Sequence, residues 1–254
     1  MDLNVFSLEN DVAIVTGGAS GLGFAVCKCL HEAGAKVVMV SRRSEEQLKK
    51  ACAEIGENAY YRQFDVTDFD KAAGLVEDIN KSIGDVTILV NNAGVHCKKP
   101  IEEMTEEDYM QVLNVHVMGA FALTKAVVPT MKKNKKGNII FQASMTAFIG
   151  QPYVLAYSTA KSGYLGMTRT LATELSPDGI RVNAVAPGWI ETPMLRKAIE
   201  GDDERKNKIL GRTPMAKFGK PEDIGWAIVY LCSDAASFIN GVALPVDGGA
   251  LIGF

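Results

Sequence analysis

Residues 12–26 read Val12-Ala13-Ile14-Val15-Thr16-Gly17-Gly18-Ala19-Ser20-Gly21-Leu22-Gly23-Phe24-Ala25-Val26: an apolar run, a glycine-rich turn and the start of a helical pattern. Each glycine has a physical use there. Gly17 permits a tight turn, Gly21 lets backbone approach a diphosphate with no Cβ in the way, and Gly23 lets helix and strand pack closely. The helix that follows presents unpaired N–H groups and the positive end of its dipole, which suits phosphate. No Gly-Lys-Ser/Thr closes the turn, so it is not a P-loop.

Outward from this stretch, short β-rich runs alternate with helical patterns. Strands are expected at 12–16, 36–40, 59–66, 87–91, 138–143, 181–186 and 243–246, several of them near-continuous Val/Ile, as in parallel strands buried on both faces. Helices are expected at 21–33, 44–55, 68–83, 105–132, 156–175 and 221–232. The alternation specifies an α/β protein: a doubly wound, Rossmann-type parallel sheet of about seven strands with helices on both faces, in a single domain over residues 1–254. Asp68 is expected to cap the third helix, Thr105 and Asp108 to form a capping box, and Gly34 to stop the first helix. One segment breaks the rhythm. Residues 191–220 include Glu200-Gly201-Asp202-Asp203-Glu204-Arg205-Lys206 and follow a strand, the place where this architecture binds ligands; they are expected to form a mobile insertion covering the substrate.

The 254 residues are 47% hydrophobic and 22% charged, the balance of a soluble globular protein. A formal net charge of −3 argues against nucleic acid as a partner. The run Lys132-Lys133-Asn134-Lys135-Lys136 precedes Gly137-Asn138 and reads as a helix end and solvated loop. Met1-Asp2-Leu3-Asn4 shows no secretory pattern, no stretch approaches about 18 uncharged apolar residues, and a cytoplasmic protein that does not engage a membrane is expected. Cys27, Cys29, Cys52, Cys97 and Cys232 read as reduced, mostly buried thiols; neither they nor His31, His96 and His116 have ligand spacing, so no metal is expected.

Two further features bear on chemistry. The second strand ends Val40-Ser41-Arg42-Arg43. An NAD site usually places an acid there for the ribose hydroxyl and an NADP site an arginine for the phosphate, so NADP is expected and NAD less so. Ser144 ends the fifth strand, and Tyr157 and Lys161 follow on one helix, four residues apart and hence on one face. A nearby ammonium favours a phenolate, and a serine hydroxyl can hold a reacting oxygen.

Taken with Asp65-Val66, Asn91-Asn92-Ala93-Gly94, Asn114, Pro187-Gly188 and Val246-Asp247-Gly248-Gly249, these motifs resemble the short-chain dehydrogenase/reductase family in its single-domain form, over nearly the whole chain. The resemblance implies an oxidoreductase moving hydride between a nicotinamide cofactor and a secondary alcohol or ketone. It implies Tyr157 as general acid/base, Lys161 lowering its pKa and bonding the nicotinamide ribose, Ser144 orienting the substrate oxygen and Asn114 holding a relay water. Gly17, Ser20, Gly21, Leu22, Gly23, Ser41, Arg42, Arg43, Asp65, Val66, Asn92, Ala93, Gly94, Pro187, Gly188, Ile190 and Thr192 would hold the cofactor. His96, Met145, Gln151, Tyr153 and Trp189, with Ser144 and Tyr157, would line the substrate pocket. A homotetramer is implied too. Phe6-Ser7-Leu8 and the 218–223 stretch are similar to gluconate 5-dehydrogenase-like polyol enzymes, but also to members acting on acyl-carrier ketones, diketones and steroids. An NAD-dependent sugar-acid dehydrogenase, a catalytically idle dinucleotide-binding protein and a methyltransferase are the alternatives; the idle protein would be expected to lose Tyr157 or Lys161, and the methyltransferase would not need the pair and would bind S-adenosylmethionine rather than NADPH.

Overall fold

All seven expected strands form: β1 (Val12–Thr16), β2 (Lys36–Ser41), β3 (Ala59–Gln63), β4 (Ile88–Asn91), β5 (Gly137–Gln142), β6 (Ile180–Pro187) and β7 (Ala243–Val246). They make one parallel sheet in the order β3-β2-β1-β4-β5-β6-β7. The computed structural model describes residues 3–253, so the reading of Met1 and Asp2 lies outside the described residues. The helices are α1 (Gly21–Glu32), α2 (Glu45–Ile55), α3 (Ala72–Ser82), α4 (Glu106–Leu113), α5 (Gly119–Asn134), α6 (Leu155–Leu175), α7 (Pro193–Ile199), α8 (Asp203–Gly211) and α9 (Pro221–Cys232).

Alternation along each strand builds two cores. Val12 and Ile14 of β1 point with Val38, Leu89, Ile139 and Val182 towards α3, α5 and α6. Their neighbours Ala13 and Val15 point with Val37, Ile88, Ile140 and Val185 towards α1 and α9. Both faces of the central strands are therefore covered, as parallel sheets require. The order reverses between β1 and β4, since β2 follows β1 on one side and β4 pairs with it on the other. A crevice opens outside the carboxyl ends of the strands at such a switch point.

Several boundaries differ from expectation. β3 stops at Gln63, short of Val66, because the Asp65 carboxylate turns back to accept bonds from the Thr67 amide (2.9 Å) and hydroxyl (2.8 Å). Asp68 does not cap: it pairs with Lys71 at 2.9 Å, and a 3-10 turn over Phe69–Lys71 precedes α3. The Thr105/Asp108 capping box and the positive φ of Gly34 are present as expected. The lysine run ends α5, with Lys132 and Lys135 both paired to Asp178. Cys27, Cys29 and Cys232 are buried, Cys52 and Cys97 only partly, and all five are unpaired thiols.

One long helical run bears on the membrane expectation. Glu106–Asn134 runs on as 29 helical residues, apolar enough by composition to span a bilayer. Lys125 interrupts it, and in the fold Leu123, Val127 and Met131 lie in the core against the sheet. The run is not uniformly α: at Asn114–Met118 it widens to a π turn, in which the Gly119 amide bonds the Asn114 carbonyl. Residues 191–220, expected to form a mobile covering insertion, contain α7 and α8, capped by the Thr192 and Asp202 side chains.

Candidate active site

The glycine turn is held open by bonds from β4. The Thr16 hydroxyl donates to the Val90 carbonyl (3.3 Å) and accepts from the Asn92 (2.9 Å) and Ala93 (2.8 Å) amides. The Asn92 side chain donates to the Thr16 carbonyl at 2.7 Å. Asn92 thus works as a strut between strand ends, and it is Ala93 and Gly94 that line the cleft. Gly17 (φ +66°) and Gly21 (φ +54°) take left-handed conformations, and a Cβ on Gly21 would project into open space. Gly23 lies so near Asn92 that a Cβ would come within 2.5 Å of its amide nitrogen. Ser20 precedes α1 without capping it through its side chain, so the first amides of α1 stay available to an anion.

This cradle opens into a cleft of about 240 Å³ lined by Gly17, Ser20, Ser41, Arg42, Arg43, Asp65, Val66, Ala93, Gly94 and Val115. Residues from three strand ends meet there as the sequence reading anticipated. Arg42 lies 3.9 Å from Asp65, a long exposed pair that leaves the guanidinium able to turn to a ligand. The Asp65 carboxyl sits below its ordinary pKa, chiefly through the Thr67 amide. Pro187 ends β6, and Gly188 packs so tightly on Asp247 that a Cβ would meet it at 2.6 Å. Ile190 bridges to Gly219, and Thr192 caps α7 through the Leu195 amide. Leu22 packs with the α1 core.

Ser144, Tyr157 and Lys161 come together above the end of β5. Ser144 is buried, accepts from the Thr146 amide at 3.1 Å, and its hydroxyl acts on the Tyr157 phenol. Burial raises the Tyr157 pKa and the Ser144 hydroxyl opposes the rise. Lys161 is buried as well. Its Nζ donates to the Gln142 carbonyl at 2.5 Å and lies 5.4 Å from the Tyr157 ring centre and 4.7 Å from that of Tyr164. Desolvation brings its pKa down to about 7. Burial is thus the leading influence on both Tyr157 and Lys161. Asn114 opens the π turn, one residue before Val115 of the cleft wall.

Two histidines frame the tyrosine. His96 stacks on its ring, centres 4.3 Å apart, and His116 meets it edge-on at 5.5 Å. His96 was expected in the pocket; His116 was not singled out. Its Nε2 lies 2.9 Å from the Val95 carbonyl and 3.1 Å from the Val95 amide, and its ring fills the space a Cβ on Gly94 would need. Burial and the nearby Lys161 push its pKa down to about 3. Beyond Ser144 lies a second cavity of about 310 Å³, whose walls include the expected Met145, Gln151, Tyr153 and Trp189 together with Lys98, Arg205, Lys208, Ile209 and Arg212. The α8 residues carried no signal in the sequence beyond their place in residues 191–220.

Residues 17–250 match the family model described as enoyl-(acyl carrier protein) reductase, and the catalytic and glycine motifs fall within that span. The chain belongs to the short-chain dehydrogenase/reductase family. It is 38% identical over 247 residues to the 3-oxoacyl-(acyl-carrier-protein) reductase FabG of Thermotoga maritima, covering 96% of this chain and 99% of that protein. It is 34% identical over 254 residues to the 2-dehydro-3-deoxy-D-gluconate 5-dehydrogenase of Formosa agariphila, covering 99% and 96%. The solved gluconate 5-dehydrogenase of Burkholderia cenocepacia, in complex with NADP and tartrate, superposes with a TM-score of 0.92 at 29% identity over 98% of each chain. As a short-chain dehydrogenase/reductase the chain is an oxidoreductase acting on a small molecule.

Proposed function

We propose that this protein is an NADP(H)-dependent oxidoreductase that interconverts a secondary alcohol and a ketone, with Tyr157 as general acid/base. The observation that carries the reading is the meeting of Ser144, Tyr157 and Lys161 beside a glycine-lined cleft that ends at Arg42. A nicotinamide dinucleotide, when bound, supplies the hydride acceptor or donor. The cradle fits such a group: Gly17 and Gly21 bare the backbone, and the α1 amides face the cleft without a side-chain cap. Gly17, Ser20, Gly21, Leu22 and Gly23 would hold the diphosphate, Asp65 and Val66 the adenine, and Pro187 to Thr192 the carboxamide. Ser144 holds the substrate oxygen, and Tyr157 takes the hydroxyl proton on oxidation or returns it on reduction. Asn114 and Lys161 relay that proton towards solvent.

Cofactor choice rests on Arg42, whose planar fork suits a ribose phosphate, and on Ser41, which puts no carboxylate beside it. We also propose a cytosolic homotetramer. Exposed Met110, Met118, Phe121 and Leu155 on α4 to α6, with Phe238 and Ile252 near the carboxyl end, support assembly, and five unpaired thiols suit a reducing compartment. A spectrophotometric screen of NADPH, NADH, NADP⁺ and NAD⁺ against sugar acids, polyols, diketones, β-ketoesters and hydroxysteroids tests the activity. Tyr157→Phe should cut turnover at least ~10²–10⁴-fold while cofactor affinity holds. Near-wild-type kcat in that variant would remove Tyr157 from the chemistry.

A further inference from the structure

We infer that the substrate is a small hydroxy or keto acid whose carboxylate is held by Lys98, Lys208 and Arg212; this rests on the oxidoreductase reading above. The cavity that carries the inference adjoins the catalytic groups: Met145 follows Ser144, and Lys98 stands two residues from His96, whose ring covers Tyr157. Among its described lining residues four are cationic and none is anionic, in a chain whose formal net charge is −3. So local a positive excess on an acidic protein is a field for an anion.

Helix geometry aims these charges. Arg205, Lys208, Ile209 and Arg212 are spaced as one face of α8 and its C-cap, and that face forms a wall of the cavity. Lys208 follows Glu204 by four residues, the favourable orientation for a helical ion pair. Such pairs form elsewhere in the chain, between Lys49 and Glu45 and between Lys81 and Glu77. Among the described residues Lys208 makes no such pair with Glu204, and Lys98 and Arg212 have no carboxylate partner. Met145 and Trp189 add apolar lining and Gln151 offers an amide, which suits a short polyhydroxylated or alkyl chain between carbinol and carboxylate. At about 310 Å³ the space lies at the small end of ligand cavities, roughly 300–1,000 Å³, and fits a six-carbon acid better than a long carrier-linked chain.

The test compares D-gluconate with D-glucitol, which differ only in the carboxylate. Affinity for both is measured by calorimetry on the cofactor-loaded protein, alongside KM for whichever acid the screen turns over. Gluconate should bind at least tenfold tighter than glucitol. Lys208→Gln and Arg212→Gln should each weaken gluconate roughly three- to thirtyfold, leave glucitol unchanged, and raise KM for the acid with kcat nearly constant. Unchanged thermal unfolding shows that the variants fold, and Lys98→Gln checks the third contact independently. Equal binding of gluconate and glucitol, or variants that leave the acid's affinity untouched, would overturn the inference while the oxidoreductase reading stands. Preference for a neutral ketone or a pantetheine thioester would do the same. Charge-dependent gluconate binding without hydride transfer to any substrate would instead strike the oxidoreductase reading and leave the anion site.

Discussion

Ser41 and Arg42 lie where a ribose substituent would be sensed, and their chemistry sets a measurable preference. One charge-assisted bond from Arg42, at roughly 1.5–3 kcal/mol, would favour NADPH over NADH by about ten- to 150-fold in kcat/KM. Ser41→Asp with Arg42→Ala should invert the ratio; a wild type that prefers NADH would show that Arg42 merely serves its long pair with Asp65. A second prediction concerns pH. His116 titrates near 3 when folded against about 6.5 unfolded, so the unfolded chain binds the extra proton in between. Stability should therefore fall as pH drops from about 6.5 towards 3, by at most about 1.4 kcal/mol per unit from this group. Denaturant titrations at pH 7 and pH 4 should show a smaller loss in His116→Gln; equal losses would assign the effect to carboxylates alone. The pairing of Tyr157 with Lys161 could be read from sequence because they are local neighbours on a helix. His116 could not, for its ring reaches Tyr157 and Gly94 through tertiary packing that leaves no periodic trace.

The observed ends of β1, β7 and α9 match expectation; β1 was legible as an unbroken buried apolar run and α9 as a helix with a buried face. Legibility failed where side chains override period. Asp65 closes its own turn and ends β3 early, and the charge-rich 200–206 stretch conceals α8, which buries only Ile209. The signals for α7 and α8 were nevertheless present. Thr192-Pro193 and Asp202 are helix-start residues, and each caps its helix through an amide three positions on. As a wall of the second cavity, α8 should become protected when cofactor and substrate are bound. Trypsin cleavage at Arg196, Lys197, Arg205, Lys206 and Lys208 should slow severalfold in the ternary complex. Equal nicking with and without ligands would make residues 191–220 a surface feature alone.

At the scale of the molecule, the exposed apolar side chains on α4 to α6 and near the carboxyl end predict self-association. Light scattering should give about four times the chain mass of 27.4 kDa, and Phe121→Glu should lower it; a wild-type monomer would refute the assembly. The doubly wound parallel sheet followed from the alternation of strands and helices, whereas assembly depends on which apolar residues stay outside, which a one-dimensional pattern does not reveal. The π turn at Asn114–Met118 adds a constraint of another kind. The 29-residue run that contains it presents Val115 to the cleft towards one end and Leu123, Val127 and Met131 to the core towards the other. Each helical residue advances the rotation by about 100°, so losing one position there would swing one end out of phase with the other. Point substitutions along this run can be absorbed singly, but a change in its length cannot. Descendants of this chain should therefore vary by insertion and deletion in 191–220 and stay ungapped from 106 to 134.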